Sequence, residues 1–516
     1  MQPITRIIPI TTLPPSLHDN TGDIDRLKRG LAPLLQDRWP VITPQQMPAV
    51  ARGFRQGNFR GFAVINDLPT GPALVDFFIA EPTMLPALAL DLGTTHLEAT
   101  LIDLLTGDTL TRGSCPNPQI EFGSDVLTRI HFATKDNGLE ILQNQIITCI
   151  NSLAAELAGK AAVPPEAIRA LSVSGNTSMI HFLLGLSPYH LCREPYIPMA
   201  NLPDPCLGRD LGLVIHPEAV VWILPSVGSY FGGDLISGIL ASGLDRNERS
   251  AMLIDVGTNA EVVVGNSEWL VACAGAAGPA LEGGVARMGV QAGSGAIDHI
   301  TINPATGAAA CSTIGNSPPT GICGSGMIDL VAGLYLAGMI DARGKFRTEA
   351  RQAGRHLVRH TDGLAYQVVP AAETAAGEPV LLTQVDLDAL TRSKAAMYTI
   401  LTTLVNQVGL SFSDLETIYV AGAFGRHIEP RQAITIGMLP DLPLQVYQPL
   451  GNSSLSGAES ILIDGEARKR GQQVVKKITY IELNVNQEFM NRFSGAKFIP
   501  HTDRNLFPSV PCFQEL

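Results

Sequence analysis

Two acidic turns in this chain combine residue types suited to holding a phosphate–metal group. Asp91 opens Asp-Leu-Gly-Thr-Thr, and 164 positions later Asp255 opens Asp-Val-Gly-Thr-Asn. A carboxylate can hold a magnesium-bound water, and small residues let backbone N–H groups approach phosphate oxygens. Gly93 and Gly257 keep the turns compact. Thr94, Thr95 and Thr258 add hydroxyls, and Asn259 supplies an amide where the first copy has its second threonine. One such turn is compatible with an ordinary capped hairpin. Two copies in matching contexts predict a duplicated fold that closes on one nucleotide, with Asp91 and Asp255 as the metal-side carboxylates.

Three further segments are candidates for the same chemistry. The run Ala421-Gly422-Ala423-Phe424-Gly425 follows an apolar strand and precedes a helix. Its small residues suit close backbone approach to an adenosine or ribose, or simply a tight strand–helix turn. In Gly321-Ile322-Cys323-Gly324-Ser325-Gly326, Gly324 and Ser325 open an apolar helix. That is either a helix N-terminus receiving a polar ligand or a close-packing turn. Hydrolysis or transfer also calls for an acid that orients the attacking oxygen. Asp234, at a Gly-Gly-Asp turn entering a helix, is the first candidate, with a helix cap as the alternative. Glu282 and Glu261 come next.

The elements that must position these residues repeat as well. LALDLGTTHLEATLID (88–103) and MLIDVGTNAEVVVG (252–265) are each an apolar strand, the acidic turn and an alternating return strand. Helical patterning follows at Leu139–Leu157 and Asp386–Val408, with strands expected at Ala167–Ser174, Val220–Leu224 and Thr417–Val420. Strands alternating with helices predict α/β architecture with mixed sheets. The order fits two ribonuclease-H-like lobes facing across a cleft, preceded by a small α+β domain. The expected boundaries are 1–86 for that small module, 87–245 for the first lobe, and 246–445 for the second lobe, with an insertion near 342–384. Residues 446–516 should hold a helix returning to the first lobe, running to about Arg470, and a tail. Within the small module, helices are expected after a loop at Ser16–Arg29, with Asp23 or Asp25 as a cap, and near Gln45–Arg55. Strands are expected at Phe59–Asn66 and Ala73–Ile79.

Composition narrows the classes. With 516 residues, 45% apolar and 16% charged, the chain is globular. A net charge of −12 with no basic block argues against nucleic acid as a partner. The start lacks a basic and then apolar leader, and no run of about 18 uncharged apolar residues occurs, so a cytoplasmic protein without a membrane segment is expected. The eight cysteines, at 115, 149, 192, 206, 273, 311, 323 and 512, include no Cys-x-x-Cys pair. They are expected to be buried apolar residues or free thiols, with no iron–sulfur cluster.

Taken together, DLGTT (91–95), DVGTN (255–259) and AGAFG (421–425) resemble the phosphate and adenosine motifs of the acetate and sugar kinase, Hsp70 and actin superfamily. SGNT (174–177) and NSSLSGA (452–458) fall where its connecting segments should lie. The chain is also similar, over nearly its whole length, to the reductive activators of corrinoid proteins. That resemblance rests on PPSLHDNTGDIDRLKRGL (14–31), SVSGNTSMIHFLLG (172–185), AGPALEGG (277–284), GICGSGMIDL (321–330), VAGAFGRHIEP (420–430) and KFIPHTD (497–503).

The resemblance implies an ATPase with ATP and Mg2+ as cofactors and a corrinoid protein as partner. ATP hydrolysis would drive remodelling of that partner so that inactive cobalt(II) is reduced to cobalt(I). It also implies that 1–86 corresponds to the family's middle or linker-associated module. Family members usually carry an iron–sulfur domain that delivers the electron, and this chain departs from that pattern. A separate ferredoxin-like electron donor is therefore expected. Two other readings remain at this stage: a small-molecule kinase with Asp234 as general base, and a nucleotide-gated scaffold.

Overall fold

The computed structural model describes residues 3–257, 260–275, 286–349, 356–361, 363–422, 425, 428–483 and 487–511. The chain separates into two compact units, Met1–Ala241 with Ser454–Lys476, and Ser242–Ser453 with Lys477–Leu516.

The first unit begins with an antiparallel sheet of β1 (Thr5–Thr11), β2 (Arg60–Leu68) and β3 (Gly71–Phe78). Helices Asp23–Leu31 and Met47–Gln56 accompany it. Ile8, Ile10, Leu27, Leu31, Phe54 and Ile65 form its buried core, because alternating strand residues and one helix stripe share a face. Neither Asp23 nor Asp25 caps the first helix: Gly22 occupies that position without a side-chain bond, and Asp23 instead pairs with Arg55. This small sheet is tied to the next one by polar contacts. Arg169 bonds Asp76 (2.5 Å) and its guanidinium lies 5.0 Å from the Phe78 ring centre, while Thr43 reaches Glu218.

The larger sheet of this unit contains β4 (Pro86–Leu92), β5 (His96–Asp103), β6 (Thr109–Pro116), β7 (Ala170–Gly175), β8 (Cys206–Leu207) and β9 (Val220–Ile223), in the order β6-β5-β4-β7-β9-β8. β4, β5 and β6 form an antiparallel meander, whereas β7 joins β4 in parallel and β9 joins β7 in parallel. Parallel strands need crossovers, and the helix Gly138–Lys160 provides the first. Its buried stripe, Leu142, Ile146, Ile150, Leu153 and Leu157, has the three- and four-residue spacing of a helix packed on a sheet.

The second unit repeats the plan with β10 (Ala251–Val256), β11 (Ala260–Gly265) and β12 (Leu270–Gly275). Two three-stranded sheets follow, of β13 (Ala296–Ile302), β14 (Ala309–Thr313) and β15 (Gly321–Ile322), and of β16 (Leu357–His360), β17 (Gly363–Val369) and β18 (Val380–Thr383). The helix Gln384–Gln407 then leads toward β19 (Thr417–Ala421), β20 (Tyr447–Gly451) and β21 (Ile478–Tyr480). The main sheet reads β20-β19-β10-β11-β12-β21, with β19 parallel to β10 and β20 parallel to β19. Reversed, the run β12-β11-β10-β19-β20 has the connectivity of β6-β5-β4-β7-β9.

The helix expected to run to about Arg470 is two helices, Ser453–Ile463 and Gly465–Lys477, separated at Asp464. Both lie mainly in the first unit, whereas 477–516 belongs to the second. There Lys394, 1% exposed, donates from Nζ to the carbonyls of Phe498 and Pro500 (2.6 Å for the latter). Burial pulls its pKa well below the usual lysine range, and the carbonyl oxygens favour the charged form against that penalty.

Candidate functional site

Asp91 is the penultimate residue of β4, half-buried and beside Ser174 of β7 in the sheet register. Ser454 donates from Oγ to Asp91 Oδ1 at 2.7 Å. Ser454 Oγ is also 2.8 Å from Ser174 Oγ, which is itself 2.8 Å from Ser237 Oγ. This buried hydroxyl chain runs from the Asp91 carboxylate to the helix Gly233–Ser242. A Cβ on Gly457 would overlap Ser237, so glycine is what lets the two serine-bearing helices approach.

The turn after Asp91 is held from behind. Asn117 donates from Nδ2 to the Gly93 carbonyl (2.9 Å) and from its backbone N–H to the Thr95 carbonyl (2.8 Å). Arg129, fully buried, donates to the carbonyls of Thr94 (2.7 Å) and Gly123 (2.8 Å). Burial lowers that guanidinium to about 10. The Thr94 hydroxyl accepts from Asn176 Nδ2 (2.9 Å), and Asn176 also caps the helix Thr177–Leu184. At Gly93 a Cβ would collide with the His96 carbonyl, which explains the residue type. Sequence reasoning missed Asn117, Arg129 and Ser454 as supports. Only Ser454 lay in a segment it had singled out.

Asp234 opens the helix Gly233–Ser242, and its Oδ1 accepts from the Leu235 N–H (2.9 Å). Desolvation lifts its pKa to about 6, against the smaller lowering by backbone N–H groups. A Cβ on the preceding Gly232 would meet the Gly175 carbonyl, Asn176 and Asp234 itself. Asp234 therefore stands beside the carboxyl end of β7, in the same unit as Asp91. A carboxylate poised near neutrality suits proton acceptance from an attacking oxygen.

In the second unit Asp255 is the penultimate residue of β10, opposite Glu261 of β11 and level with Ala421 of β19. Gly422 has φ +80, and a Cβ there would lie 2.6 Å from the Val256 carbonyl and 2.7 Å from Asp255 Oδ1. The acidic turn and the small-residue turn thus meet at the carboxyl ends of adjacent parallel strands, where open α/β sheets bind ligands. At Gly425 a Cβ would strike the Val420 carbonyl. Gly257 lies among the described residues. Thr258, Asn259, Glu282, Ala423 and Phe424 lie outside them.

Gly324 and Ser325 begin the helix Gly324–Leu336. Ser325 is buried and donates to the Asp298 carbonyl (2.9 Å), while a Cβ on Gly326 would overlap the Ile297 carbonyl. These contacts account for Ser325 and Gly326 through packing on β13. Among the described residues no group of three or more His, Cys, Asp or Glu side chains is arranged to hold a metal ion. Mg2+, however, is commonly held by one or two carboxylates completed by phosphate oxygens and water. Hard, partly exposed oxygens at Asp91 and Asp255 fit that chemistry.

Two sheets of matching connectivity, each ending in an acidic turn, define the actin-like class of nucleotide-binding folds that includes Hsp70 and the sugar kinases. Within that class the chain belongs to the RACo family: the model described as the RACo middle region matches residues 86–247, and the one described as the C-terminal domain of RACo, the ASKHA domain, matches 249–511. The middle-region description thus falls on the segment read as the first lobe, whereas the resemblance had attached that label to 1–86.

The chain is 31% identical over 482 residues to the "corrinoid activation enzyme RamQ" of Eubacterium limosum, covering 92% of this chain and 79% of that one. It is 23% identical over 441 residues to a "[Co(II) methylated amine-specific corrinoid protein] reductase" of Methanosarcina barkeri, covering 78% and 75%. Among solved structures, a "reductive activator for corrinoid, iron-sulfur protein" superposes with a TM-score of 0.90 at 34% identity, covering 99% of this chain and 81% of that one. No helix of the described residues is long and apolar enough to cross a membrane.

Proposed function

We propose that this protein reductively activates a corrinoid protein at the expense of ATP, returning cobalt(II) to cobalt(I) with an electron from a separate ferredoxin-like donor. The observation that carries this reading is the similarity to corrinoid activators along almost the entire chain, at a TM-score of 0.90 to one of them. In this reading Asp91 and Asp255 serve the same nucleotide, each from its own turn. Mg2+, when bound, would neutralise charge on the phosphate oxygens. The backbone around Gly93 receives phosphate oxygens, and Asn117 and Arg129 keep that backbone in place. Gly422 admits the nucleotide close to the main chain, and Asp234 accepts a proton from the attacking water.

Partner remodelling requires that the ATP-bound and product-bound forms differ in affinity for one state of the corrinoid protein. Hydrolysis then supplies the free energy for an otherwise uphill one-electron reduction. The test combines the full chain, its corrinoid protein, a low-potential reductant and MgATP under anaerobic conditions. The cobalt(I) absorption should grow only when every component is present, in step with phosphate release. Equal cobalt(I) without ATP would overturn the proposal. So would stoichiometric phosphorylation of a small molecule with no corrinoid requirement, which is the behaviour of a kinase.

A further inference from the structure

The cysteines of the described residues are free thiols, but two of them adjoin: Cys115 Sγ and Cys149 Sγ are 3.1 Å apart. Cys115 is on β6, at one edge of the first unit's main sheet, and Cys149 is on the helix Gly138–Lys160 packed against it. The two elements are already in contact nearby, since Thr111 donates to the Leu157 carbonyl at 3.1 Å. Both thiols are half-buried, so a small oxidant can reach them. The Cys149 S–H beside Cys115 holds the Cys115 thiol below the usual range, opposed by burial and by Glu156. The same contact and burial push Cys149 up. The lowering at Cys115 favours it as the attacking sulfur, with Cys149 resolving.

What makes this pair more than a packing detail is its place in the chain. Two residues beyond Cys115 stands Asn117, which fastens the Gly93 and Thr95 carbonyls of the first acidic turn. A disulfide bond is about 2.05 Å long, so closure draws the sulfurs together by about 1 Å. Because Asn117 directly follows this edge strand, such a shift bears on two of the bonds that hold the turn.

We propose that Cys115 and Cys149 are an oxidation-sensitive dithiol, and that its closure to a disulfide displaces Asn117 and loosens the Asp91–Thr95 turn. With hydrogen peroxide as oxidant, the Cys115 thiolate attacks one peroxide oxygen and the O–O bond breaks. This leaves a sulfenic acid and a hydroxide that takes up a proton to become water. Cys149 then attacks the Cys115 sulfur, the S–S bond forms, and the sulfenic oxygen departs as a second water carrying the Cys149 proton. Two electrons pass from the sulfurs to one peroxide. A dithiol reductant reverses the step by exchange. The consequence for ATP rests on the function proposed above, whereas closure and displacement of the turn do not.

The experiment treats anaerobically purified full-length protein with peroxide and maps its peptides without reduction. A 115–149 crosslink should form, vanish with dithiothreitol, and be missing in Cys149→Ser. Amide hydrogen exchange across 92–97 and at Asn117, whose proline neighbours carry no amide hydrogen, should rise in the oxidised wild type and stay unchanged in treated Cys149→Ser. Affinity for ATP should fall about tenfold on oxidation, the equivalent of about 1.4 kcal/mol, the scale of one hydrogen bond lost from the turn. Recovery of Cys115 as a sulfinic acid, or of both thiols unmodified, would refute the dithiol. A crosslink with unaltered exchange in the turn would refute the coupling. Failure of the reduced protein to bind ATP would count against the proposed function alone, because the exchange measurement still decides the coupling.

Discussion

Around Asp91 the supports are side chains reached from far along the sequence: Ser454 on the carboxylate, Asn117 and Arg129 on the turn behind it. Beside Asp255 a backbone comes close, Gly422 at φ +80, near enough that a methyl group would touch the carboxylate. The first turn thus shows a need for donors brought from other elements, and the second acid shows a need for a missing side chain beside it. Duplication preserved the strand order and the acid, and each half adds a constraint of its own around that acid.

That comparison can be broken most directly at the acids themselves. If both turns serve one nucleotide, Asp91→Ala and Asp255→Ala should each lower ATP hydrolysis by about 10²–10³-fold, the scale for losing a group that positions and neutralises transferring phosphate. Phosphate release measures it, and near-normal turnover in either variant would end the equivalence.

Gly422→Ala should be the next most damaging change. It forces a strained positive φ and a contact with the Val256 carbonyl, at a cost of about 2–4 kcal/mol. A fall in melting temperature with weakened nucleotide binding is expected, and an unaffected melt would contradict the close approach. Ser454→Ala should act more mildly and only through the first turn. Loss of one hydrogen bond to a charged group is worth about 1.5–3 kcal/mol, so hydrolysis should drop on the order of tenfold with the fold intact. Ser454→Thr should restore part of the rate.

The pH dependence sharpens the assignment of Asp234. Its folded-state pKa, about 6, lies above the ordinary carboxylate value. Hydrolysis should decline as the pH falls through about 6, because the acid gains the proton it must accept, and Asp234→Asn should be slow and lack that inflection. For stability the sign is opposite to that of a salt-bridged acid. The folded protein bears a desolvated charge above pH 6, and this penalty fades as the pH falls toward the unfolded value of 3.8. Asp234→Asn should thus raise the melting temperature at pH 7 by more than it does near pH 4.

Much of the fold was legible because its signals are local. The two strand–turn–strand repeats, the long helices at 138–160 and 384–407 and the strand before Gly422 appear close to their expected limits. The parallel pairing of β10 with β19, which joins segments far apart in the chain, accounts for Gly422 beside Asp255. The serine chain was not legible, since Ser174, Ser237 and Ser454 come from separate strands and helices, and nothing in a serine's neighbours says which remote hydroxyl it meets. Asn117 and Arg129 were hidden for the same reason, as was the approach of Cys115 to Cys149. In Gly321–Gly326 the pattern was real but left packing and binding undecided, and the contacts of Ser325 and Gly326 favour packing. Resemblance of whole motifs, more than any residue alone, pointed to the corrinoid partner.

The lysine beneath the closing segment has a practical consequence. Cutting the chain ahead of Phe498 would remove the Phe498 and Pro500 carbonyls that accept from Lys394 and leave it the more distant Gly437 carbonyl, at a cost of about 1.5–3 kcal/mol for each hydrogen bond lost from a charged group. Shortened versions made for crystallisation should therefore end beyond residue 503, and versions ending earlier should be recovered mainly as aggregate.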